Sequence, residues 1–135
     1  MIVADTNLVA YFVIPGALTN AAELVRAKDR DWIAPSLLRS ELLSVAARYV
    51  EAGLVDRDEA LRSFRRGLGL VKIGDQQSDP VGVLNLCAQS GCTGYDAEFI
   101  WMANEMNLRL VTADAALIKS FPNVAVGFED FCRGK

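Results

Sequence analysis

Apolar residues along the chain fall into two alternating kinds of pattern. Short runs at Ile2-Val3-Ala4, Trp32-Ile33-Ala34, Leu70-Val71-Lys72-Ile73, Leu108 to Thr112 and Val124-Ala125-Val126 lie between polar turns and read as buried strands. Helical spacing fills the intervals. A helix follows the turn Asp5-Thr6-Asn7 and reaches towards Val13, where Pro15-Gly16 breaks it. Thr19-Asn20 caps the next, from Ala21 to Lys28, and Pro35 starts a long helix to about Ala52 with Gly53 as its stop. Asp56 with Glu59 makes a capping-box-like start for a helix through Arg66. Ser78-Asp79-Pro80 opens another that ends at Gly91; the segment from Cys92 to Met106 supplies a further amphipathic helix, and a short one lies between Asp114 and Pro122. Short apolar strands separated by helices predict an α/β fold: a parallel sheet of about five strands, flanked by helices on both faces.

At 135 residues, of which 52% are hydrophobic and 23% charged, the chain fits one domain spanning 1–135 with a substantial core. No apolar run approaches the length of a membrane span, and no basic stretch precedes Ile2, so a soluble, cytoplasmic protein is expected. Cys87, Cys92 and Cys132 are odd in number and form no close CxxC pair, which predicts reduced, structural thiols. The net charge of -3 does not suggest a nucleic-acid binder, although Arg57, Arg62, Arg65, Arg66 and Lys72 crowd one segment. Taken alone, that strip reads as a solvated helix face.

The absence of histidine changes the picture more than the charge does. It excludes Ser-His-Asp and Cys-His catalysis and removes the usual zinc ligand, so any catalysis rests on carboxylates. Asp5 and Asp114 each follow the carboxyl end of a predicted strand, and Asp96 stands at the beginning of a helix. Ligands of parallel α/β sheets collect at that edge, yet aspartate is also an ordinary N-cap. Glu41 fits the ordinary explanation less well. It falls within the apolar stripe Leu37, Leu38, Leu42, Val45 and Tyr49, where a carboxylate is costly unless paired, protonated or bound to a cation; Arg48 on the same helix offers one pairing. Four carboxylates from four separate elements repel one another unless something positive lies between them. An all-oxygen set without histidine suits Mg²⁺ or Mn²⁺, and the chemistry such a centre supports is phosphodiester hydrolysis.

The segments VADTNLVAYF, PSLLRSELLSVAARY and TGYDAEFIWMANEMNLRLVTAD, in this order and with the short helix after them, resemble the successive motifs of PIN-domain proteins. Size and layout are similar to the VapC-type ribonuclease toxins of toxin-antitoxin pairs. Each motif is weak by itself, but together they cover almost the whole chain. The resemblance implies that Asp5, Glu41, Asp96 and Asp114 form an acidic pocket for Mg²⁺ or Mn²⁺, with Asn7 and Thr112 orienting ligands or water from behind. It also implies adjacent first and fourth strands, a single-stranded RNA substrate, a VapB-like antitoxin that wraps an apolar groove, and a homodimer. Tyr11, Phe12, Leu37 and Leu38 are candidates for such contacts, though core burial explains them equally.

The implied activity is that of a metal-dependent endoribonuclease in which activated water attacks phosphorus and leaves a 5′-phosphate and a 3′-hydroxyl. The sequence departs from many relatives at Ala115 and Ala116, where another acidic or polar group often stands, which puts a second protein-held metal in doubt. Glu98 lies two helix positions from Asp96, faces elsewhere, and reads as a solvent-exposed glutamate. Two other readings stay open. A haloacid-dehalogenase-like phosphatase also begins with an aspartate after its first strand, but needs a second where this chain has Asn7. A catalytically silent PIN domain that binds RNA or protein is the stronger rival, although such a module gains nothing from a repulsive acid cluster.

Overall fold

The computed structural model describes all 135 residues. Five short strands, β1 (Ile2–Ala4), β2 (Trp32–Ala34), β3 (Val71–Ile73), β4 (Leu110–Val111) and β5 (Ala125–Val126), form one sheet in the order β3-β2-β1-β4-β5. Every pairing is parallel. The fold is therefore the expected α/β arrangement. β1, β2, β4 and β5 are buried along their whole length, which is why they read as unbroken apolar runs.

Eight helices surround the sheet: α1 (Thr6–Val13), α2 (Thr19–Lys28), α3 (Leu38–Glu51), α4 (Arg57–Leu70), α5 (Pro80–Ser90), α6 (Gly94–Met106), α7 (Ala115–Ser120) and α8 (Phe128–Cys132). Right-handed crossovers sort them. The path β1-β2-β3 moves one way along the sheet and puts α1 to α4 on one face, where they pack on one another. The chain then returns over β1 to β4 and reverses direction, so α5 and α6 cover the other face. β1 is consequently the strand at which the order reverses, and its carboxyl end faces a crevice between the two helical layers.

Several boundaries differ from the sequence expectation, each for a local reason. α2 begins at Thr19, and the Thr19 hydroxyl accepts the Gly16 N–H and donates to the Ile14 carbonyl, so it closes the preceding turn rather than capping the helix. Pro35 opens a tight turn, and α3 starts only at Leu38. α4 continues through Gly67 and Gly69 to Leu70 and passes directly into β3. β4 is shorter than its apolar run because Leu108 belongs to the end of α6: Asn107 takes a left-handed conformation, and the Leu108 N–H donates to the Ala103 carbonyl. α8 leaves no clear mark in the sequence, since five residues carry little periodicity.

Leu38 lies in the core, while Tyr11, Phe12 and Leu37 pack against it half-buried, so core packing accounts for these four candidate contact residues. The cysteines are free and half-buried. No helix is long and apolar enough to cross a membrane.

Candidate active site

The carboxyl end of β1 delivers Asp5 into the crevice, and the parallel pairing of Ala4 with Val111 sets the end of β4 beside it. Asp5 is buried, at 9% exposure. It does cap α1, as an aspartate at a strand-to-helix turn should: Oδ1 accepts the Thr6 N–H at 2.8 Å. Oδ2 accepts the hydroxyl of Thr112, a residue with no exposure at all. The same Thr112 oxygen accepts the Asp114 N–H at 3.0 Å, so one hydroxyl joins the ends of two strands. Asp114 in turn caps α7, its Oδ1 accepting the Leu117 N–H at 3.1 Å.

Glu41 projects from α3 beside the buried stripe of Leu38, Leu42 and Val45. It is half-buried rather than sunk in the core, and its partner is not Arg48: Oε1 accepts the Thr6 hydroxyl at 2.7 Å. Asp96 enters from the opposite helical layer. It is not the cap of α6, which is Thr93; the Asp96 N–H donates to the Thr93 hydroxyl, and this places Asp96 in the first turn, where it lines the crevice.

These side chains meet in a cavity of about 210 Å³ lined by Asp5, Thr6, Asn7, Glu41, Ser44, Val45, Arg48, Asp96 and Asp114. All four acids singled out in the sequence line it, as does Asn7, while Thr112 stands behind Asp5. The sequence reasoning missed Thr6 and Ser44. Thr6 follows Asp5 directly, but nothing local ties it to a glutamate 35 residues away.

Crowding and burial act on the acids in the same direction. The Asp5 carboxyl is pushed up to about 6, first by burial and further by the charges of Asp96 and Glu41, against the hydrogen bonds from Thr112 and Thr6. Glu41 is raised by burial, with Asp96 and Glu98 adding to it, and Asp96 is raised by burial and by Asp114. None of the four forms an ion pair, and Arg48, exposed at the rim, is the only basic residue lining the cavity.

The donor set is all oxygen, charged and short of positive partners, which is the chemistry of a hard divalent cation. No three of the acids stand close enough to chelate one ion together. A cation here would be held directly by one or two carboxylates at most and completed by water, a shell that Mg²⁺ accepts.

Glu98 differs from its expectation. It is half-buried, and Oε1 accepts the Ser78 hydroxyl at 2.6 Å in a polar recess next to the acidic cavity. A separate apolar cavity of about 400 Å³ lies between α3 and α4, lined by Leu43, Ala46, Val50, Leu61 and Phe64 among others, away from the acids.

No protein-family model matches the chain, and no curated protein matches it in sequence. Solved structures do share its fold. The protein PAE2754 from Pyrobaculum aerophilum superposes with a TM-score of 0.76 at 22% identity, over 98% of this chain and 86% of that one. A chain of a toxin-antitoxin complex from Klebsiella pneumoniae gives 0.68 at 18% identity, over 93% of this chain and 96% of that one.

Proposed function

We infer that the protein is a Mg²⁺- or Mn²⁺-dependent endoribonuclease acting on single-stranded RNA, the toxin of a toxin-antitoxin pair with a VapB-like antitoxin. The observation that carries the reading is the cavity at the reversal point of the sheet, where Asp5, Glu41, Asp96 and Asp114 crowd together without an ion pair among them. Such repulsion costs stability and is retained where a cation relieves it. A bound cation supplies charge for the phosphate oxygens and lowers the pKa of a coordinated water.

The chain's own groups do the rest. Of Asp5, Asp96 and Asp114, one or two would hold the cation directly and the remainder through water. Thr112 and the Thr6 N–H keep the Asp5 carboxylate in one orientation, and the cap bond from the Leu117 N–H does the same for Asp114. Glu41 is the general base. Its Oε1 is engaged by Thr6, so Oε2 takes the proton as the water oxygen bonds to phosphorus. Its raised pKa makes it a better acceptor than an ordinary glutamate. The bond from phosphorus to the 3′ oxygen breaks, that oxygen takes a proton from solvent water while Glu41 returns its own to solvent, and the products are a 3′-hydroxyl and a 5′-phosphate. Asn7 lines the cavity where it can orient the water or the phosphate.

The toxin assignment draws support from the fold shared with a chain of the Klebsiella pneumoniae toxin-antitoxin complex. The apolar cavity between α3 and α4, with Leu43 and Leu61 exposed at its rim, suits an amphipathic antitoxin helix. The homodimer would use the apolar residues Val81 and Leu84 on α5, which are 65% and 68% exposed.

The test is incubation of purified protein with labelled single-stranded RNA and Mn²⁺ or Mg²⁺. Cutting that EDTA abolishes and that is lost in Asp5→Asn and Asp96→Asn, with circular dichroism unchanged, is the expected result. No cutting on a broad RNA panel together with no cation uptake would replace the enzyme with a silent binding domain. Expression in cells tests the toxin role: growth should stop, and the product of a neighbouring gene should restore it.

A further inference from the structure

The first two turns of α6 serve more than the acidic cavity. Tyr95, next to Asp96, is 66% exposed, a large amount for an aromatic ring on a helix packed against the sheet. It lines a cavity of about 410 Å³ together with Pro80, Val83, Thr93, Ser78 and Glu98. That volume lies in the range of small-ligand clefts, and its walls combine an aromatic face with a few polar groups. Glu98 and Ser78 also form the boundary with a second recess of about 220 Å³, which carries the amides of Gln76 and Gln77.

Glu98 is the informative member. A half-buried carboxylate outside the acidic cavity has to be justified by what it meets. Ser78 donates to its Oε1 at 2.6 Å, which pins the carboxylate, while Oε2 has no donor from the protein. The pinned group offers acceptors only. Among the four RNA bases, guanine alone presents two neighbouring donors on its Watson-Crick edge, N1–H and the N2 amino group. Adenine, cytosine and uracil each set an acceptor beside their donor and so meet one carboxylate oxygen with repulsion.

We propose that the cleft between Tyr95 and Glu98 is a nucleobase subsite selective for guanine, which stacks on the Tyr95 ring and donates through N1 and N2 to the Glu98 carboxylate. The guanine O6 then turns towards the amides of Gln76 and Gln77. Recognition of an unstacked base by an aromatic face and a hydrogen-bonding edge is the mode that single-stranded RNA permits. Because Tyr95, Asp96 and Glu98 lie within two turns of one helix, the recognised base belongs to a nucleotide close to the scissile phosphate. The subsite rests on the ribonuclease reading for its substrate, and it deepens that reading by assigning specificity.

Sequencing the products of a randomised single-stranded RNA library reads the subsite directly. The wild type should show guanine enriched about tenfold or more at one fixed position relative to the cut. Glu98→Gln keeps the size of the side chain and an acceptor for Ser78 but replaces one acceptor with a donor, and should abolish the enrichment. Tyr95→Ala should raise KM at least about fivefold while the preference for guanine persists. A flat profile in the wild type, or the same guanine excess in Glu98→Gln, overturns the proposal. If the wild type cuts nothing, the ribonuclease reading fails, and the subsite is judged by binding alone. The four nucleoside 5′-monophosphates are then titrated into the protein and followed by NMR. A preference for the guanine nucleotide of about tenfold, lost in Glu98→Gln, upholds the subsite, and equal binding of all four removes it.

Discussion

At Asp5, burial and charge conflict. Its carboxyl ionises near 3.8 in a free chain and at about 6 in the fold. Between those values the folded protein keeps a proton that the unfolded chain has lost. Stability therefore falls as pH rises from about 4 to 6 and stays low above that, by about 3 kcal/mol from this group. Glu41 and Asp96, raised as well, act in the same direction. In EDTA the protein should melt at a higher temperature at pH 5 than at pH 7.5, and Asp5→Asn should flatten most of the difference; a wild-type Tm that climbs with pH across that window would refute the account. Thr112 belongs to the same balance, because its hydroxyl serves Asp5 and the Asp114 N–H together. Thr112→Val should cost about 1 to 3 kcal/mol in urea unfolding, since the shape is kept while a buried carboxylate loses its donor. Asp5 and Asp114 were legible in the sequence because strand ends and caps leave a local mark. The bond between Thr6 and Glu41 was not, because it joins side chains 35 residues apart.

Among the elements, α4 shows how packing overrides local preference. Glycine inside a helix costs roughly 1 kcal/mol relative to alanine, and α4 carries two, Gly67 and Gly69. Propensity alone argues for a helix that stops at Arg66. The fold continues it because Gly67 lets α4 approach α1 and α3: a Cβ there would lie 2.8 Å from Leu42 Cδ2 and 3.1 Å from Val9 Cγ1. At Gly69 the same atom would meet nothing within 4 Å. Gly69→Ala should therefore stabilise the protein by up to about 1 kcal/mol, while Gly67→Ala should destabilise it by about 1 to 2 kcal/mol as Leu42 and Val9 are displaced. Thermal melts of the two variants check the contrast, and equal shifts would show that propensity alone decides. The strands were easier to place than the helix ends. Burial on both faces writes an unbroken apolar run into the sequence, whereas the starts of α2 and α3 depend on single hydrogen bonds that several neighbouring residues could have made.

For the molecule as a whole, a cation held in the acidic cavity would make stability and cation binding one equilibrium. A cation that binds the folded state alone raises its stability by RT ln(1 + [L]/Kd), about 2.7 kcal/mol at a hundred times Kd. Mn²⁺ or Mg²⁺ should raise the Tm of the wild type at pH 7.5, and Asp96→Asn should lose most of the rise. A Tm indifferent to both cations would sever the cavity from metal chemistry.

The sequence by itself determined which residue types were present and how often polarity alternates. From these followed the α/β class, most of the elements, and the exclusion of histidine chemistry. These are local or compositional properties, and a linear chain expresses them directly. Only the tertiary structure decided which carboxylates meet and what holds each one. Strand order brings the end of β4 beside β1, and the reversal at β1 sends α3 and α6 to opposite faces, so that Glu41 and Asp96 approach one cavity from two sides. The same geometry gave Glu41 a threonine in place of an arginine and drew Glu98 from solvent into a polar recess. Those outcomes depend on distances between residues far apart in the chain, and such distances exist only once the sheet has set its order.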